Sequence, residues 1–151
     1  MKLIFLCGKM AAGKSTLASE LAKRERAVLL AEDEFLDRLF PGEILDIAGY
    51  VRCSIRVKNA LGPHICNLLT RGVSVVLDFA GNTRSQRAWF RQLIDTSRAA
   101  HELHFIDLPD EVCKRQLRSR SRNLPAGTAW TTEEEFDAVT AYFEPPADEE
   151  G

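Results

Sequence analysis

A glycine-rich motif near residue 8 restricts the fold of this chain more than any other feature. Residues 8 to 15 read Gly-Lys-Met-Ala-Ala-Gly-Lys-Ser, between an apolar run at 2–7 and a helical pattern at 14–23. The two glycines permit a tight turn and the close approach of a phosphate to backbone N–H groups. A strand, this loop and a helix in that order form a phosphate-binding loop, or P-loop. A glycine-rich connection arising by chance is the alternative, and the strand and helix flanks outweigh it.

The P-loop pattern gives its residues defined roles. Lys14 is expected to reach the β- and γ-phosphate oxygens, and the Ser15 hydroxyl is expected to ligate Mg²⁺. Backbone amides of the loop and of the helix start would surround the phosphates. The predicted nucleotide-binding residues of this segment are Gly8, Lys9, Met10, Ala11, Ala12, Gly13, Lys14, Ser15 and Thr16. The implied cofactors are ATP and Mg²⁺.

Apolar runs alternate with helical patterns along the chain. The predicted strands are 2–7, 27–31, 73–79 and 103–108, and the predicted helices include 14–23, 44–69 and 132–143. Thr83-x-x-Gln86 has the form of a capping box, and Pro109 suits the first turn of another helix. Unbroken apolar strands alternating with helices are typical of parallel sheets covered on both faces. The fold class predicted is α/β: a three-layer P-loop NTPase sandwich of the nucleoside-monophosphate-kinase type, with a mainly parallel sheet of four or five strands.

Size and composition favour one domain over residues 1–151. The chain has 45% hydrophobic and 28% charged residues, and its net charge of −2 gives no general attraction to nucleic acid. No apolar stretch approaches the ~20 residues needed to span a bilayer. Four cysteines are scattered without a C-x-x-C pair, which favours free thiols. We therefore expect a cytoplasmic protein with no membrane contact, for which nucleic acid is not the favoured partner; a protein partner or a homodimer is possible but not indicated.

Acidic residues follow two of the predicted strands. Asp78 ends the third strand, and Asp33 lies in the turn after the second. Because parallel strands end at the same edge of a sheet, both carboxylates are expected near the P-loop. Asp78 has Walker-B form and, with Ser15, is a predicted Mg²⁺ ligand, whereas Asp33 would remove the proton of an acceptor hydroxyl. The alternatives are a helix-start cap for Asp33 and a strand-end cap for Asp78.

A basic cluster follows the fourth predicted strand. Its members are Lys114, Arg115, Arg118, Arg120 and Arg122. Arginines on a mobile segment can neutralise the charge that develops during phosphoryl transfer, so we expect a lid at about 114–131. A solvated helix face is the alternative. Residues 145–151 are expected to form a disordered tail.

A second set of polar residues lies on the 44–69 helix. Arg52, Arg56 and Asn59 share one face by spacing and would line an acceptor pocket, although a solvated face is the favoured interpretation.

These residues together resemble the small P-loop kinases related to gluconate kinase, chloramphenicol phosphotransferase, polynucleotide kinase and zeta toxins. The resemblance covers nearly the whole chain, through Gly8–Thr16, the turn at 32–35, the stretch at 78–83 and the arginine segment at 118–120. It implies catalytic roles for Lys14, Asp33, Arg118 and Arg120, and nucleotide contacts for Arg122.

The chain departs from this group in two places. Leu36 follows the predicted base where polynucleotide kinases carry an arginine, which weakens a nucleic-acid role. The group also carries a fifth strand after the lid, which the residues up to Gly151 do not include. A four-stranded sheet, an edge supplied by a partner and a truncated form all remain open.

The function expected is transfer of the γ-phosphate of ATP to a hydroxyl of a small molecule. A toxin-like nucleotide-sugar kinase shares this chemistry. A P-loop ATPase or switch that acts through a protein partner is an alternative of a different class.

Overall fold

The computed structural model describes residues 1–9, 12–121, 137 and 140–147, without the side chains of 118–121. Strands and helices alternate, as predicted. They are β1 (Lys2–Gly8), α1 (Lys14–Glu25), β2 (Val28–Ala31), α2 (Glu32–Leu39), α3 (Ile47–Thr70), β3 (Val75–Asp78), α4 (Arg84–Ser97), β4 (Ala100–Ile106) and α5 (Asp110–Ser121).

The four described strands form one parallel sheet. Their order is β2-β3-β1-β4, so the third strand lies beside the first, as expected. Side chains that alternate along β1 enter two cores. Leu3 and Phe5 pack with α3 and α4 on one face of the sheet, and Ile4 and Leu6 pack with α1 on the other. This arrangement confirms the three-layer α/β sandwich.

Local sequence signals set several helix ends. Thr83 accepts a hydrogen bond from the Gln86 amide, and the Gln86 side chain accepts one from the Thr83 amide, which confirms the capping box of α4. The Asp46 side chain caps α3 by accepting from the Gly49 amide. The predicted helix at 132–143 lies largely outside the described residues.

Two details differ from expectation. Strand β4 begins three residues early, at Ala100, because Lys2 to Gly8 pairs with the whole of Ala100–Ile106. Apolar spacing also does not identify the buried face of α3. Val51 and Ile55 are 48% and 52% exposed, whereas Cys53 and Val57 are buried. This helix is apolar on more than one face, so its neighbours decide which face enters the core.

None of Cys7, Cys53, Cys66 and Cys113 forms a disulfide in the described part of the chain, and Cys66 alone among them is only partly buried. Among the described residues, no helix combines the length and the apolar character that crossing a membrane requires.

Candidate active site

The P-loop joins β1 to α1 in a conformation that depends on its glycines. Gly13 caps α1 with a φ of 94°, a left-handed conformation that side chains disfavour. A Cβ atom on Gly8 would lie 3.2 Å from the Ile106 carbonyl oxygen. The backbone conformation at Gly13 and the close contact at Gly8 therefore both favour glycine. Met10 and Ala11 lie outside the described residues.

Lys14 and Ser15 stand at the first turn of α1 and reach the end of β3. The Ser15 hydroxyl donates a 2.8 Å hydrogen bond to Asp78 Oδ2. Burial lowers the pKa of Lys14, and the nearby Asp78 carboxylate opposes this change. The geometry brings the predicted metal ligands together, and it gives Asp78 a partner in the P-loop instead of a role as a strand-end cap.

Asp33 lies in the first turn of α2, immediately after β2. The N-cap residue of α2 is Ala31, whose side chain makes no cap hydrogen bond, and Asp33 is one of three acidic residues in the first turn. Asp33 is exposed by surface area, yet partial desolvation raises its pKa, and the charges of Glu32 and Asp78 raise it further. Lys14 acts in the opposite direction. These mutual effects place Asp33, Asp78 and Lys14 in one cluster of interacting charges, as expected for the carboxyl edge of the sheet.

Glu32 is a buried carboxylate that sequence reasoning did not assign a role. Its side chain is 2% exposed. Oε1 accepts from the Tyr50 hydroxyl at 2.6 Å and from the Ala80 amide at 3.4 Å, while Oε2 accepts from the Ser54 hydroxyl at 2.6 Å. Through these hydrogen bonds Glu32, the residue beside Asp33, joins the start of α2 to α3 and to the segment after β3. The acidic pair Glu32-Asp33 was visible in the sequence, but its partners are 18 to 48 residues away.

Asn82 and Arg87 support the other side of the P-loop. Asn82 Oδ1 accepts a 2.9 Å hydrogen bond from the Gly8 amide and therefore fixes the end of β1. Arg87 is 6% exposed and donates to the carbonyl oxygens of Gly81 and Pro145, at 2.9 and 3.2 Å. Asn82 was part of the family resemblance, although no role followed from it.

Helix α5 packs directly on the P-loop. Ala12, Cys113 and Leu117 form a small buried cluster. Lys9 Nζ lies 2.7 Å from Asp110 Oδ1, so this side chain pairs with α5 while its backbone remains part of the loop. Lys114 pairs with Asp137 at 3.0 Å.

The predicted lid is only partly described. The backbone of α5 includes Arg118 and Arg120, but their side chains lie outside the described residues, as does Arg122.

The structure leaves Arg52, Arg56 and Asn59 exposed. The side chains of α3 that reach the carboxyl edge of the sheet are instead Tyr50 and Ser54, which both donate hydrogen bonds to Glu32. Spacing alone did not separate these faces, because both carry polar residues.

Comparisons with known proteins agree with this architecture. A family model described as an AAA domain matches residues 3–146. No curated protein sequence matches the chain significantly.

Solved structures share the fold at low sequence identity. A candidate kinase from Chloroflexus aurantiacus J-10-fl has a TM-score of 0.77 and 20% identity, over 97% of this chain and 82% of its own. A sugar kinase from Janibacter sp. HTCC2649 has a TM-score of 0.68 and 16% identity, over 98% and 80% of the two chains. The APS kinase of Mycobacterium tuberculosis, in complex with AMPPNP and APS, has a TM-score of 0.62 and 17% identity, over 97% and 84%. The chain therefore belongs to the AAA domain family, and its fold is that of the P-loop kinases.

Proposed function

We propose that this protein is an ATP- and Mg²⁺-dependent phosphotransferase that moves the γ-phosphate to a hydroxyl group of a small molecule. The observation that carries the proposal is the contact of Ser15 with Asp78 at 2.8 Å, beside Lys14 and within the charge cluster of Asp33. The proposal includes one kinase domain over residues 1–151, a lid at about 114–131 and a cytoplasmic location.

The residues present fit the implied metal and nucleotide. A hydroxyl and a carboxylate in contact offer the hard oxygen donors that Mg²⁺ prefers, and Mg²⁺ commonly uses one or two such groups together with phosphate oxygens. Ser15 and Asp78 would hold the ion, directly or through water. When bound, it would neutralise charge on the phosphate oxygens. Lys14 and the loop amides would hold the β- and γ-phosphates.

Proton removal is assigned to Asp33. As the acceptor oxygen forms its bond to the γ-phosphorus, the bond from that phosphorus to the bridging oxygen of ADP breaks, and the acceptor proton passes to the Asp33 carboxylate. A raised pKa suits this role, because a base must hold the proton it accepts. Arg118, Arg120 and Arg122 are proposed to neutralise the transferred group from the lid.

A substrate screen tests this proposal. Mg-ATP consumption would be measured with hydroxylated metabolites, antibiotics, nucleosides and nucleotide sugars, using wild type, Asp33→Asn and the control Asp95→Asn. Asp95 lies on the outer face of α4 with its side chain 68% exposed. We expect one acceptor class to raise turnover strongly in wild type and in the control, and Asp33→Asn to abolish this rise while still binding ATP.

Other outcomes would redirect the assignment. Stimulation by nucleotide sugars alone would favour the toxin-like kinase. ATP hydrolysis that needs a protein partner and no metabolite would contradict the small-molecule kinase and favour the switch.

A further inference from the structure

Helix α3 presents a polar stripe toward the carboxylate edge of the sheet. Tyr50, Ser54 and Lys58 are four residues apart and therefore share one face of the helix. The hydroxyl groups of Tyr50 and Ser54 each lie 2.6 Å from the Glu32 carboxylate, which adjoins Asp33 in the chain. Lys58 follows one turn later, about 6 Å along the helix axis from Ser54. The stripe thus runs from Glu32, the neighbour of the proposed catalytic base in the chain, to a lysine.

Lys58 is a half-buried cation without an acidic partner in direct contact. Its ammonium nitrogen lies over the ring of Trp89, 5.4 Å from the centroid. Trp89 stacks in turn on Phe79, the residue that follows Asp78, with centroids 5.2 Å apart. In the described part of the chain, no carboxylate oxygen lies within 4.0 Å of Lys58. Both oxygens of Glu32 are already occupied by hydrogen-bond donors.

An uncompensated ammonium group is costly to bury. Burial lowers the pKa of Lys58, and the charge of Glu32 only partly opposes this. Lys14 shows the same pattern, and there the P-loop supplies the reason, because phosphate is the expected counterion. Trp89 contributes some attraction through its ring, but a cation–π contact replaces only part of the lost hydration. An anionic group of a bound ligand beside Lys58 would compensate its positive charge.

We propose that Lys58, lying over Trp89, binds an anionic group of the acceptor, so that the phosphorylated molecule carries a carboxylate or a phosphate in addition to its reacting hydroxyl. This inference rests on the proposed kinase function and narrows its substrate class. The reacting hydroxyl would lie at Asp33 and the anionic group at Lys58, on the α3 stripe whose first two members bind Glu32.

Direct binding of inorganic phosphate tests the Lys58 site without any assumption about the acceptor. The full chain would be saturated with Mg-AMPPNP, so that the P-loop is occupied, and then titrated with phosphate by calorimetry. The variants are Lys58→Met, Lys58→Arg and the control Lys23→Met on the exposed side of α1. We expect saturable binding in wild type, Lys58→Arg and Lys23→Met, and binding at least tenfold weaker in Lys58→Met.

Thermal unfolding separates this role from a structural one. Methionine keeps the length and volume of the side chain and removes a partly desolvated charge, so Lys58→Met should unfold at the same temperature as wild type or higher. Phosphate binding that is absent from wild type, or equal in Lys58→Met, would overturn the site. A lower unfolding temperature together with unchanged phosphate binding would overturn it as well, and would assign Lys58 to packing on Trp89.

Turnover then links the site to the acceptor. Glucuronate, glucose and glucosamine share one ring and differ in charge, and further acceptors from the screen would be compared in such sets. We expect turnover only with anionic members, with KM raised at least tenfold and kcat little changed in Lys58→Met. Equal use of a neutral acceptor by wild type and Lys58→Met would leave the kinase standing and refute the Lys58 site. Lys58-dependent phosphate binding without turnover on any acceptor would instead refute the kinase and retain the anion site.

Discussion

Replacement of Tyr50 by phenylalanine would test how strongly Glu32 is held beside the proposed base. Tyr50 donates a 2.6 Å hydrogen bond to Glu32 Oε1. Burial, and next the charge of Glu32, hold the pKa of Tyr50 well above its usual value, so the phenol keeps its proton and remains a donor. Phenylalanine retains the ring and its packing. Tyr50→Phe therefore removes one donor from a buried carboxylate, together with the hydrogen bond between the Tyr50 hydroxyl and Ser54.

The magnitude follows from the charge of the acceptor. A hydrogen bond to a charged group contributes about 1.5–3 kcal/mol, more than a neutral one. The Ser54 hydroxyl and the Ala80 amide still satisfy Glu32 in the variant, so complete loss of the carboxylate's partners does not occur. For a chain of this size, a decrease of about 1.5–3 kcal/mol in the free energy of unfolding corresponds to a fall in Tm of roughly 3–12 °C.

The assay is urea unfolding together with thermal unfolding, with Tyr142→Phe as the matched control. Tyr142 is 64% exposed, and its hydroxyl group should contribute less than about 0.5 kcal/mol. We expect a lower urea midpoint for Tyr50→Phe at an unchanged slope, and no shift for the control. Equal stability of the two variants would refute the view that the Tyr50–Glu32 contact contributes to folding.

Four further predictions concern the site itself. Because the pKa of Asp33 is raised above 3.8, kcat/KM should fall on the acid side at a higher pH than an ordinary aspartate would give. A raised pKa also means that the folded protein disfavours the charged carboxylate, so Asp33→Asn should stabilise the fold at neutral pH. This advantage should be lost as the pH falls through the raised pKa toward 3.8, which unfolding measured at several pH values would show. Ser15→Ala should weaken Mg-ATP binding at least about tenfold but leave metal-free ATP binding little changed, and equal losses with and without Mg²⁺ would contradict a metal role beside Asp78. Gly8→Ala should cost about 1–3 kcal/mol of stability, because its Cβ would meet the Ile106 carbonyl oxygen at 3.2 Å; an unchanged Tm would show that β4 yields at no cost.

Much of the fold was predictable because its signals are local. The P-loop needs Gly13 at a left-handed φ and a strand and helix on either side, and all of these requirements are written in adjacent residues. Strand and helix alternation then implies a parallel sheet, whose ends must share one edge. That reasoning predicts from the sequence alone that Asp33 and Asp78 lie near the P-loop. Their chemical roles remain proposals.

The tertiary structure decided what depends on distant partners. The amino-acid sequence is enough to predict the P-loop, the layered α/β fold and the edge at which the carboxylates lie, since periodicity and glycine chemistry act over a few residues. It did not determine which face of α3 is buried, that Glu32 binds Tyr50 and Ser54, or that Lys58 lies over Trp89 without an acidic partner. These features arise where α2, α3 and α4 meet the sheet. Contacts between segments far apart in the chain leave no regular pattern in the sequence, because each depends on how whole helices are packed.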